Sequence, residues 1–141
     1  MKQGIGFSAT INIIAIFIVV TFAFLAATLS YYKAYKINNA ISSSIEKYEG
    51  YNSLAKKEIS TKLGSLGYRQ GSTNCKNTKV GNVDTTNDTG YDYCIKYIER
   101  TDNNYYKYEI TTYLNIDIPL GNLFLKIPVK STTEKIYYFN E

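Results

Sequence analysis

The stretch INIIAIFIVVTFAFLAATL, Ile11 to Leu29, is apolar apart from Asn12, Thr21 and Thr28, and no charged side chain occurs between Lys2 and Lys33. A bilayer core of ~30 Å needs about 20 apolar residues at 1.5 Å each, so this run is long enough to span one as a helix. The competing reading is a buried helix of a soluble core, but so long a run is hard to cover in a chain of 141 residues. The span predicts a single-pass membrane protein with the remainder of the chain as one polar domain of modest size.

Beyond the span the helical pattern continues. Ala34, Ile37, Ile41, Ile45 and Tyr48 recur at spacings of three and four, with Lys33, Lys36, Glu46 and Lys47 off that stripe. Gly50 offers a left-handed stop. The spacing predicts one rod over 7–49, roughly 65 Å long, preceded by a leader over 1–6 and followed by a head over 50–141. Within the head a second helix is expected from Ser53 to about Leu66. Asn52 or Ser53 caps it, Leu54, Ile59, Leu63 and Leu66 form its apolar face, and Gly67 follows. Gly64 weakens its last turn.

Residues 70–90, rich in Thr, Asn, Gly and Ser, read as loop. Period-two alternation then begins. Tyr91, Tyr93, Ile95 and Tyr97 form one face, and after a turn at 101–104 Tyr106, Tyr108, Ile110, Thr112, Leu114, Ile116 and Ile118 form another. A second turn at 119–122 leads to Leu123, Leu125, Ile127 and Val129, where Pro128 implies an edge strand or a bulge. Ile136 to Phe139 adds a last short strand. The expected fold class is α+β: a long N-terminal transmembrane and stalk helix, a short helix and a small antiparallel sheet packed on helix by one face.

Function classes narrow by absence. The chain has no histidine, which removes Ser-His-Asp and Cys-His catalysis and histidine-containing metal sites. Its glycines form no phosphate-binding loop. The reading is that it is not an enzyme and needs no cofactor, and Glu58, Asp84, Glu99, Glu109 and Glu134 are read as solvated surface carboxylates. The net charge of +4 comes from scattered lysines without a basic stripe, so nucleic acid is not an expected partner. Asp84, Asn87, Asp88 and Asp92 could gather oxygen for calcium, but their spacing is not that of an EF-hand loop, and turn-forming side chains are the plainer account. Asn87-Asp88-Thr89 is a weak glycosylation sequon.

Cys75 and Cys94 are the only cysteines. In a small, loop-rich domain they suggest one disulfide in an oxidising compartment; the alternative is two free thiols facing the cytosol. The 15 tyrosines lie mostly on strands, where cross-strand packing explains them. Tyr31 and Tyr32 instead fall at the end of the span, where aromatic rings prefer the membrane interface. Inside the span, Ala23 with Ala27, and Ala26 with Ser30 and Ala34, repeat every four residues and permit close helix approach in lipid. Asn12 places an amide in the run that wants a partner.

In this arrangement the chain resembles the type IV pilin and type II secretion pseudopilin superfamily. Those proteins have a short basic leader ending in glycine, commonly followed by phenylalanine and a long apolar helix. Here the leader is Met1-Lys2-Gln3-Gly4-Ile5-Gly6 and the mature chain begins at Phe7. The resemblance implies a prepilin-type peptidase cutting between Gly6 and Phe7 on the cytoplasmic side, a half-buried helix, an antiparallel sheet, and partners among other pilin-like subunits and the filament assembly machinery. One position departs from the family: the glutamate usual shortly after the cut is Ile11 here, which implies a minor subunit. A cut after Gly4 would not restore a carboxylate.

Lys2 on one side of the span and Lys33 and Lys36 on the other leave the positive-inside rule nearly neutral. The cysteine pair and the resemblance put the head outside the cytoplasm, with an extracellular filament as the destination after processing. The main alternative is a permanently anchored surface protein whose head binds a partner or an adhesion target. A cleavable secretory signal would need small residues at a cleavage site close after the apolar run, and Ala23 to Ser30 match that poorly.

Overall fold

With no charge between Lys2 and Lys33 and no proline before Pro119, nothing interrupts a helix in the first third of the chain. Helix α1 runs unbroken from Lys2 to Lys47, 46 residues and about 69 Å, so Gly4 and Gly6 of the leader are helical too. The computed structural model describes residues 2–71, 75, 82–84, 89–100, 104–118 and 123–138. The expected turns at 101–103 and 119–122, Asn87, Asp88 and Phe139 lie outside these.

The end of α1 differs in one detail from the sequence expectation. Glu49, not Gly50, holds the compact left-handed conformation (φ 52°), while Gly50 sits at φ 152° and donates its N–H back to Ile45 O at 2.9 Å. A side chain at Gly50 would be strained by that φ, and its Cβ would lie 3.3 Å from Tyr108 Oη. Helix α2, Ser53–Ser65, begins at Asn52, whose Oδ1 accepts from Ala55 N–H at 2.9 Å. It ends at Gly67, φ 62°, where Tyr68 N–H reaches Leu63 O at 3.0 Å. Its buried stripe is Ala55, Ile59 and Leu63, spaced by four. Leu54, expected on that face, is exposed, because five residues of helix turn it about 140° away from Ile59.

Among the described residues five antiparallel strands follow: β1 (Asn82–Asp84), β2 (Tyr93–Arg100), β3 (Tyr105–Ile118), β4 (Leu123–Thr132) and β5 (Ile136–Tyr137). Their order is β1-β2-β3-β4, with β5 beside the start of β3. Strand β1 lies in what reads as a loop. Three residues carry no alternation of their own, and the strand exists by pairing with β2, Val83 opposite Ile95. Pro128 falls on β4 opposite Tyr113, at the sheet edge, where a missing N–H breaks no ladder.

The α1 stripe Ala34, Ile37, Ile41 and Ile45 is buried, with Tyr48 half-buried at its end. It packs with Ile59 and Leu63 of α2 against Tyr93, Ile95 and Ile110 of the sheet. Ile110, Thr112 and Leu114 are buried as the alternation requires, whereas Tyr108 is only half-buried. The tyrosines pack across strands: Tyr97 lies 5.7 Å from Tyr106 and 5.5 Å from Tyr108 between ring centroids. The sheet differs from the simple pattern at β4, where Leu125 and Ile127 remain exposed. Helix α1 crosses over β3 and meets β4 near Val129. Ile110→Ala should cost about 2–5 kcal/mol in urea unfolding and Glu109→Ala, half-buried beside Lys130, within about 0.5 kcal/mol; equal effects would mean the register is wrong.

Candidate functional site

The N-terminal half of α1 is apolar and uncovered. Its most hydrophobic window has a mean hydropathy of 2.6 and none of it is buried by the rest of the chain. By length and composition this helix can cross a membrane. Its threonines bond inside the helix: Thr21 donates to Phe17 O at 2.8 Å and Thr28 to Phe24 O at 2.9 Å. Such i−4 bonds let threonine sit in an apolar segment without an orphan donor. Asn12 is exposed, and among the described residues its amide has no hydrogen-bond partner from another element.

Gly6 stands free, with no atom within 4 Å of where a Cβ would be, and its carbonyl accepts from the Thr10 hydroxyl at 2.8 Å. Phe7 is 71% exposed. Ala23 and Ala26 are exposed, and Ala27 and Ser30 are half-buried. Ala34, which continues the Ala26-Ser30 row, is buried in the head's own core. That row therefore has its free part at Ala26 and Ser30, one turn shorter than the spacing suggests.

Where the helix enters the head, polar groups fasten it. Asn38, 4% exposed, donates to Val129 O at 3.3 Å and accepts from the Thr112 hydroxyl at 3.0 Å, joining α1 to β4 and β3 at once. Lys33 reaches Gly67 O at 2.9 Å. At the other end of the contact Tyr106 donates to Glu49 O at 2.7 Å, and Glu46 Oε1 accepts from Ser42 and from Glu134 N–H at 3.0 and 2.8 Å. None of these polar residues stood out as functional in the sequence. Asn38 could have been found, because it lies four residues after Ala34 and three before Ile41, on the buried stripe.

Cys75 and Cys94 form a disulfide across a sequence separation of 19, tying the long loop to β2. Beside it, Asp92 is buried and pairs with Lys126 at 2.6 Å, while its backbone carbonyl accepts from the Tyr68 hydroxyl. Burial pushes the Tyr68 hydroxyl up to about 12. Asp92 is thus engaged by an ammonium rather than placed with other carboxylates. Among the described residues no group of three or more His, Cys, Asp and Glu gathers to hold a metal ion. Chain-entropy reasoning gives the disulfide roughly 3 kcal/mol. Peptide mapping without reductant should recover Cys75 joined to Cys94, and reduction should lower the stability in urea by about that amount; free thiols in protein from its native source would refute the bridge.

Glu58, read from sequence as a solvated carboxylate, is a structural one. It bridges Lys47 of α1 and Lys62 of its own helix, each at 2.7 Å. Hydrogen bonds from Lys47 and then Lys62 hold its carboxyl at about 2, below the ordinary 4.5. A carboxyl depressed by folding stabilises the native state above its unfolded value, and that contribution fades as pH falls from about 4.5 towards 2. Glu58→Gln should flatten the dependence of the melting temperature on pH in that window and leave its slope above pH 5 unaltered.

Comparison with protein-family models, with curated proteins and with solved structures finds no match.

Proposed function

We propose that the chain is a pilin-like structural subunit of a type IV-type filament or secretion pseudopilus, processed between Gly6 and Phe7 and assembled through its N-terminal helix. The observation that carries this reading is one continuous helix with two environments. Residues 34–45 supply the core of the head, while the apolar half before them is left bare. A helix so exposed needs lipid around it or the same helix of neighbouring subunits, and a filament subunit uses each in turn. The open space where a Gly6 side chain would stand supports close approach by a peptidase, which has to displace the Thr10 hydroxyl from the Gly6 carbonyl. On this reading the N-terminus faces the cytoplasm, the disulfide-bonded head lies outside, and the partners are sibling subunits, the assembly machinery and a prepilin-type peptidase. The protein performs no catalysis.

Ile11, in place of the family's glutamate, favours a second reading. Without that carboxylate the helix has less to set its register against a neighbour, and a permanently anchored surface protein, whose head binds a partner, needs none.

One experiment separates the two. Mass spectrometry of protein from its native membrane should find Phe7 as the first residue. Gly6→Leu should leave uncut precursor in the membrane and remove the protein from the sheared extracellular fraction, with the head still folded, since an added side chain there meets nothing. If the wild-type protein keeps Met1 or Lys2, or Gly6→Leu behaves as wild type, the filament reading falls and the anchor reading replaces it.

A further inference from the structure

Strand β3 runs antiparallel to α1. Tyr106 bonds to Glu49, Thr112 to Asn38, and Leu114 and Asn115 share a recess with Ser30, Lys33 and Ala34. From Thr112 to Ile118 the strand advances about 20 Å. Measured back from Asn38 at 1.5 Å per residue, that length reaches about the level of Leu25. The β3–β4 pairing persists to Ile118 opposite Leu123. The far end of this hairpin therefore stands beside the last part of the apolar run, not above it.

The stretch from Ile116 to Pro128 reads IDIPLGNLFLKIP, with Asp117 and Lys126 as its charges; Lys126 is engaged by Asp92. On β4, Leu125 and Ile127 are 47% and 43% exposed. Ile127 is opposite Leu114, which is buried, so both residues share the helix-facing side of the sheet. The helix does not reach them. Tyr31, Tyr32 and Tyr35 are all more than half exposed.

We propose that this hairpin is a second membrane contact, in which Leu125 and Ile127 enter the interfacial layer of the leaflet from which α1 emerges. The proposal rests on α1 being a membrane helix. Lipid is the occupant favoured by three features. The hairpin stands at the depth of the apolar run, its exposed aliphatic face is continuous with that run, and the tyrosines beside it are those that settle at a bilayer interface. The pair that Lys126 of the hairpin makes with Asp92 limits the depth, since charged groups are costly in hydrocarbon. The contact is therefore interfacial, about 5–10 Å into the headgroup and acyl boundary. The head would then be held against the membrane by two contacts and lie down upon it instead of standing off on the helix.

The chain has no tryptophan, so single-tryptophan variants report without background. Leu125→Trp, Ile127→Trp, Phe17→Trp within the apolar run and Leu54→Trp on the exposed side of α2 are each made in the full chain. They are reconstituted in phosphatidylcholine vesicles whose acyl chains are brominated near the headgroup end. Emission from Leu125→Trp and Ile127→Trp should shift to the blue, fall on brominated lipid and resist aqueous acrylamide. Leu54→Trp should show the opposite of each. If the two hairpin probes behave like Leu54→Trp while Phe17→Trp is quenched, the second contact is absent and the membrane helix stands. If Phe17→Trp also escapes quenching, the membrane reading itself has failed. If the two hairpin probes are blue-shifted and resist acrylamide but escape the brominated lipid, with Phe17→Trp still quenched, a second copy of the chain covers this face and the proposal is overturned.

Discussion

Everything in the head depends on one packed contact, the stripe Ala34, Ile37, Ile41 and Ile45 of α1 against Tyr93, Ile95 and Ile110 of the sheet. A two-layer domain this small has no second core to fall back on. Helix α2 adds Ile59 and Leu63 to the same contact and has no hydrophobic neighbourhood of its own. The sheet in turn needs helix on this face, since strands alone do not bury enough to persist. The contact also decides the fate of the rest of α1. Because residues 34–45 are committed to the head, the helix direction is set, and the apolar half is carried out as a straight continuation with nothing to fold back upon.

The elements with long periodic signals were legible from the sequence alone. Helix α1, a cap of α2 at Asn52 or Ser53, the register face of β3 through Ile110, Thr112 and Leu114, and an edge or bulge at Pro128 all follow from local rules, and the structure takes Asn52 and the edge. The two cysteines suggested a disulfide over two free thiols, and the bridge is present. What was missed is tertiary. Strand β1 is ordered by β2 and has no pattern of its own. Leu54 and Ala55 compete for one helical face, and the alanine wins because four-residue spacing aligns it with Ile59 and Leu63. At the end of α1, Glu49 takes the left-handed turn that glycine seemed suited to, while Gly50 accommodates Tyr108. Apolar alternation in β4 predicted burial of Leu125 and Ile127, but alternation only says which side of a sheet a residue occupies. Whether anything covers that side depends on where the helix crosses.

The candidate site was legible in outline and not in detail. The apolar run and the Gly6-Phe7 pair are one-dimensional features, readable directly. Asn38, Thr112, Glu46 and Glu58 could not be ranked above other polar residues, because their roles arise from pairing across sequence separations that a single chain does not reveal. Polar groups buried in this way are satisfied almost completely, and Asn38 uses its carbonyl and its amide on two different strands. Such a group selects one alignment of helix on sheet more sharply than the surrounding isoleucines, which pack tolerably in several.

That fastening has a mechanical side. The helix and β3 lie antiparallel, and their polar links are distributed along the whole contact: Lys33 to Gly67, Asn38 to Thr112 and Val129, Glu46 to Glu134, Glu49 to Tyr106. A tensile load applied along the axis of α1 is transmitted to the head in shear, so these links and the isoleucine stripe bear it together. Peeling, which would break them one after another, requires a force across the axis. A head drawn by its N-terminal helix is thus loaded in its stronger direction.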